Sequence, residues 1–137
     1  MADTISAARR SENMRRIRSK DTTPELVVRK LAHNLGFRYR LHVRNMPGNP
    51  DLVFARRRAV IFVHGCFWHM HSCADGRLPK TRREYWVPKL SANVSRHKRA
   101  QRQLRRNGWR VMTIWECETA DREMLSRRLL RFLGKAG

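Results

Sequence analysis

The sequence predicts one α/β domain with a mixed central sheet flanked by helices. Three observations lead there. The chain has 137 residues, enough for one real hydrophobic core and too few for two. Its segments read in the order α-β-β-β-α-β-α, which suits a layered α/β fold. The run AVIFVH is apolar on both faces, as a central strand covered on each side would be. Internal repeats, low-complexity tracts and domain linkers are absent from the sequence. We expect a flexible lead over residues 1–10, the domain over 11–133 and a tail over 134–137.

In chain order, SENMRRIRSK has helical character and a basic face, with Met14 and Ile17 three apart on one side. DTTPELVVRKLAHNLG is a helix on several agreeing signals: Thr23 suits the cap, Pro24 the first helical position and Gly36 the C-terminal end. Val27, Val28, Leu31 and Leu35 line one face of it. FRYRLHVR alternates apolar and polar residues, the pattern of a half-buried strand, and NMPGNP punctuates it with turn residues. DLVFA and AVIFVH, separated by RRR, predict a hairpin. Residues 65–90, including EYWVPK, read as irregular. SANVSRHKRAQRQLRRNG is a long basic helix closed by Gly108, WRVMTIWE a strand, and DREMLSRRLLRFLG an amphipathic helix with Leu125, Leu129, Phe132 and Leu133 on one face.

Charge narrows the partner. Lys and Arg total 31 against 11 acidic residues, a formal net charge of +20. A compact domain bears such self-repulsion when it meets an anionic partner, and nucleic acid is the usual one. A membrane surface is the weaker reading, because no segment shows the strongly apolar helical face it requires. RNA-binding proteins of the ribosomal kind share this composition, so charge says nothing about catalysis. No apolar run approaches the ~20 residues of a membrane span, and MADTISAARR lacks the apolar middle of a signal peptide. The expected compartment is the cytoplasm.

The stretch HGCFWHMHSC concentrates ligand-type side chains. Three cysteines without an export signal do not suggest a disulfide framework. Cys66, His71 and Cys73 supply three thiolate or imidazole ligands from one loop, and Cys117 at the end of a later strand supplies a fourth, a set suited to tetrahedral structural zinc. Reduced cysteines in a core are the competing reading, and His69 could replace His71 on spacing alone. Phe67 and Trp68 lie inside this cluster, and Trp86 lies among Arg77, Lys80, Arg82, Arg83 and Lys89. Aromatics interleaved with cations suit base stacking, and core packing is an equal alternative. Asp51 follows Pro50 at the edge of DLVFA, and the hairpin brings the Val63 carbonyl and His64 towards it. A carboxylate and a carbonyl with water and phosphate oxygens suit Mg²⁺ and phosphodiester hydrolysis. His69, if spared by zinc, could accept a proton from water.

These residues stand within MRRIRSKDTTPE, GFRYRLHV, PGNPDLVF, IFVHGCFWHMHSC, EYWVPKL and GWRVMTIWEC. That collinear set, from about Ser11 to Leu133, closely resembles the very short patch repair (Vsr) mismatch endonucleases, a branch of the PD-(D/E)xK nuclease superfamily. The resemblance implies a restriction-endonuclease-like core with a structural zinc site. It implies a Mg²⁺-dependent enzyme, acting as a monomer, that nicks double-stranded DNA 5′ of the thymine of a T:G mismatch left by 5-methylcytosine deamination. Mismatch-repair proteins would be its partners. By the same resemblance Asp51 and the Val63 main-chain carbonyl hold Mg²⁺, and Phe62-x-His64 stands where most relatives carry Glu-x-Lys. His69 is the general base and Glu25 an assisting carboxylate. Cys66, His71, Cys73 and Cys117 bind Zn²⁺. Phe67, Trp68 and Trp86 form an aromatic wedge entering from the major groove, and the segment bearing Met14 presses from the minor groove. Arg99, Arg102 and Arg106 would meet phosphates. Two positions depart from the family's pattern: His97 follows Arg96 where an aspartate is usual, and PGNPD replaces a proline-glycine-lysine turn. They motivate the rival expectation of a zinc-stabilised DNA-binding protein of this fold that does not cleave.

Overall fold

The computed structural model describes residues 22–73, 76 and 80–134. The expected helix over 11–20 with Met14, and Arg77, lie outside the described residues. Helix α1 (Thr23–Asn34) is followed by strands β1 (Arg40–Leu41), β2 (Leu52–Phe54) and β3 (Ala59–His64), the long helix α2 (Arg83–Arg106), β4 (Arg110–Trp115) and α3 (Arg122–Leu133). The sheet order is β1-β2-β3-β4. The first three strands are antiparallel neighbours, while β3 and β4 run parallel. The mixed sheet and the element order are those the sequence predicts.

Alternation along β3 decides which layer each residue joins. Ala59 and Ile61 meet Val28 and Ala32 of α1 and Leu125, Leu129 and Leu133 of α3 in one buried cluster. Val60 and Phe62 face the opposite way, against Leu104 of α2. A strand covered on both sides must be apolar at successive positions, which is why AVIFVH shows no polar alternation. Burying a Leu or Ile side chain here contributes ~1.5–3 kcal/mol.

Three local departures from expectation have physical causes. Thr22, not Thr23, caps α1: its hydroxyl accepts from the Glu25 N–H at 3.4 Å. The strand expected over FRYRLHVR shrinks to two residues, because His42 takes a positive φ of 53° just after it. EYWVPK, expected to be irregular, belongs to α2, which starts at Arg83 and keeps Pro88 inside it. Proline in the second turn forfeits only one hydrogen bond, and Trp86 and Leu90, buried on that helix, supply compensating contacts.

The turn before β2 is seated deeply. Gly48 has φ +73°, and a Cβ there would lie 2.7 Å from the Ala100 Cβ and 3.2 Å from the Phe62 ring. Only glycine allows this turn to rest on α2. Among the described residues, no helix is long and apolar enough to cross a membrane.

Candidate functional site

The rim at the C-terminal end of β3 gathers the chemistry. Asp51 immediately precedes β2, and its N–H donates to the Ile61 carbonyl at 3.1 Å. Its Oδ2 accepts from the Val63 N–H at 2.6 Å, which locks the carboxylate against the strand end. Glu25, in the first turn of α1, is only 3% exposed and comes from the opposite side. Burial raises the Asp51 carboxyl to about 7; the Val63 N–H opposes this and the nearby Glu25 carboxylate adds to it.

Sequence reasoning missed two residues of this cluster. Ligand atoms of Glu25, His42 and Asp51 all lie within 4.8 Å of one another. Arg29 bonds to Glu25 one helical turn away, and its Nη2 lies 2.9 Å from His42 Nε2. Signals for both existed. Glu25 and Arg29 have i,i+4 spacing on a helix, and the pairing of Leu41 with Leu52 sets His42 opposite Asp51.

On the other face of β3, His64 follows Phe62 towards α2. Its ring stacks on His69 with centroids 3.6 Å apart and planes 4° apart, and His97 meets it edge-on at 3.9 Å. Burial first, then the neighbouring histidines, pushes His64 down to about 2. Burial lowers His69 and His97 to about 4. His97, given no role by the sequence, is held by Gln101 at 2.6 Å and lies 3.3 Å from the Thr113 hydroxyl. Glu25, Asp51, Val63, His64, His69 and His97 line one cleft of about 770 Å³.

The cysteines converge as a separate cluster. Ligand atoms of Cys66, His71, Cys73 and Cys117 lie within 4.8 Å of one another, and Cys117 Sγ is 3.6 Å from His71 Nδ1. Zn–S bonds of ~2.3 Å and Zn–N bonds of ~2.0–2.1 Å at a tetrahedral angle separate S and N by about 3.6 Å, so the donor set and its spacing fit zinc. Burial pushes the Cys66 thiol up to about 12 and also raises Cys117, so thiolates here need a cation beside them. His71 rather than His69 joins the cysteines, and its ring stacks on Trp115 at 4.2 Å.

The three aromatics form one block. Phe67 and Trp86 meet edge to face at 5.2 Å, Phe67 and Trp68 at 5.3 Å, and Trp68 and Trp86 at 6.1 Å. Trp68 is 5% exposed and Trp86 9%, packed with Leu90, whereas Phe67 is half-buried. Lys89 lies over both indoles, at 5.7 and 5.9 Å. Asn93 donates to the Trp68 carbonyl at 3.3 Å, which ties the loop to α2. Arg99, Arg102 and Arg106 are exposed along that helix.

A mixed sheet with the Glu25 and Asp51 carboxylates at one strand end and a cysteine–histidine cluster nearby matches the restriction-endonuclease-like frame that the sequence predicts. The family described as DNA mismatch endonuclease Vsr matches residues 2–75. The chain is 50% identical over 133 residues to the type II nicking enzyme V.XorIIP of Xanthomonas oryzae, covering 97% of this chain and 98% of that protein. It is 42% identical over 130 residues to the DNA mismatch endonuclease Vsr of Escherichia coli, covering 95% and 83% respectively. The chain belongs to the Vsr family of endonucleases.

Proposed function

We propose that the chain is a Mg²⁺-dependent, strand-specific DNA endonuclease. It nicks 5′ of the thymine in a T:G mismatch left by deamination of 5-methylcytosine. The single observation that carries this reading is the shared cleft: the Asp51 carboxylate and the His69 imidazole line one cavity beside the Val63 main chain. Asp51 and the Val63 carbonyl would hold Mg²⁺, a pairing of one carboxylate and one carbonyl that leaves positions for water and phosphate oxygens. When bound, Mg²⁺ polarises the scissile phosphate and stabilises the oxygens that attack and leave.

The chain's own groups supply the rest. His69, lowered to about 4, is unprotonated at neutral pH and able to take a proton from the attacking water. His64, stacked on that ring, would support the phosphate or hydrated metal. Glu25 assists Asp51. Cys66, His71, Cys73 and Cys117 would hold a structural Zn²⁺ and so fix the loop that presents the aromatic block. Phe67, Trp68 and Trp86 enter a base step from the major groove, with Phe67 the ring nearest solvent, and Met14 presses from the minor groove. Unstacking costs less at a mismatch, so the wedge itself favours one. Arg99, Arg102 and Arg106 contact phosphates. The enzyme acts as a monomer in the cytoplasm, with mismatch-repair proteins as its partners.

The test is a nicked-strand assay with Mg²⁺ on T:G and matched T:A duplexes. We expect a single nick 5′ of the thymine in the T:G duplex and none with Asp51→Ala. Equal, undetectable cutting by both proteins would replace the enzyme with a DNA-binding protein of the same fold.

A further inference from the structure

Trp115, the last residue of β4, packs against histidines rather than the core. It is half-buried and, among the described residues, joins none of the three apolar clusters. Its indole stacks on His71 with centroids 4.2 Å apart and planes 15° apart, and it meets His64 and His69 edge to face at 5.6 and 6.2 Å. Trp115 is also the parallel partner of His64, so both side chains leave the sheet on the same face. Two residues on, Cys117 enters the cysteine–histidine cluster. The strand end itself is pinned: the Trp115 N–H donates to Glu118 Oε1 at 2.8 Å, and Glu118 Oε2 accepts from Arg128 of α3 at 2.5 Å.

We propose that Trp115 is a positioning residue that carries the order of the cysteine–histidine cluster to the His64–His69 pair. Ligation fixes the plane of an imidazole, and a ring packed on its face shares that constraint. The indole held in this way by His71 bounds the stacked pair, so His69 keeps one place relative to the attacking water. A misplacement of about 1 Å in such a group costs about 10²-fold in rate. The cluster thus serves two surfaces: the loop of the aromatic block and, through Trp115, the proton acceptor. The competing route is the main chain through Met70, which also joins His69 to His71. The inference rests on the reading of His69 as the general base.

The experiment follows the rings as well as the rate. The full chain, isotope-labelled at the histidine ring carbons, is loaded with Zn²⁺ or with the larger Cd²⁺ and compared by nuclear magnetic resonance without DNA. The His69 resonance is the one missing from His69→Ala. We expect it to move on metal exchange in the wild type and in Trp115→Phe, which keeps a flat face, and to stay in place in Trp115→Ala and Trp115→Leu. In single-turnover nicking of saturating T:G duplex, Trp115→Ala and Trp115→Leu should be about 10²-fold slower, and Trp115→Phe within about 10-fold of the wild type. Zinc and duplex affinities should stay unchanged in all three. Trp115→Leu, which fills the space without a flat face, carries the test should Trp115→Ala fail to fold by circular dichroism. An equal movement of His69 in Trp115→Leu and the wild type assigns the coupling to the main chain and overturns the inference. No movement in the wild type, zinc loss in the folded variants or nicking at the wild-type rate overturns it too. Undiminished nicking by His69→Ala overturns the reading of His69 as the base, and the inference with it.

Discussion

His69 and His71 are two residues apart in one loop, yet the structure sends them to different clusters, and replacing each in turn separates the two roles. His71→Ala removes one of four ligands. Structural zinc sites contribute ~10–16 kcal/mol of apparent binding free energy, so an equal share is ~2.5–4 kcal/mol per ligand, or about 10²–10³-fold in zinc affinity. The 3.6 Å between Cys117 Sγ and His71 Nδ1 already suits the ion, so little rearrangement offsets that share. The same loss is expected for Cys117→Ser. Because the cluster joins the loop after β3 to the turn after β4, 46 residues later, weaker binding must also lower the melting temperature. His69→Ala should keep zinc at wild-type affinity and lose nicking instead. Competition against a chromophoric chelator at fixed pH measures the affinities, and thermal melts with and without chelator measure the coupling to folding. Zinc loss in His69→Ala equal to that in His71→Ala, or full retention in Cys117→Ser, would refute the assignment.

Phe67→Ala, at the half-buried edge of the aromatic block, should preserve the fold and reduce the T:G-to-matched binding ratio by about 5–150-fold, the equivalent of one stacked base at ~1–3 kcal/mol. Filter binding on the two duplexes at identical salt checks it, and a uniform loss on both would remove stacking from the mechanism. Metal affinity should depend on pH through Asp51. Its folded value is raised to about 7, so below pH 7 a proton competes for the carboxylate, and apparent Mn²⁺ affinity should be about 10-fold weaker at pH 6 than at pH 8. Calorimetry across that range tests this, and a flat profile would show that the carboxylate is already ionised at pH 6.

Much of this was legible because local and tertiary forces agree. α1 combines a capping threonine, an early proline and an apolar stripe, and the closing helix puts Leu125, Leu129 and Leu133 in the core as its spacing predicts. The β2–β3 hairpin follows from two β-rich runs, and its RRR separator forms a short 3-10 turn ending in a left-handed Arg58. The start of α2 was not legible, because Pro88 and a left-handed Arg82 argue locally against a helix that burial of Trp86 and Leu90 makes favourable. The histidine ligand choice needed three dimensions, since both spacings are short. Arg29 and His42 were overlooked because each belongs to its element's periodicity, and only strand register and helix placement bring them to Asp51.

Gly48 ties the candidate metal-binding turn to the arginine-bearing helix. With no side chain as a spacer, the Asp51 turn lies flush on the helix whose outward arginines face solvent. The distance from that cationic surface to the acidic group is therefore a fixed dimension of the scaffold, set by one interatomic contact. Seating the helix along a backbone groove would then measure out where the strand is cut, much as a jig fixes the depth of a blade.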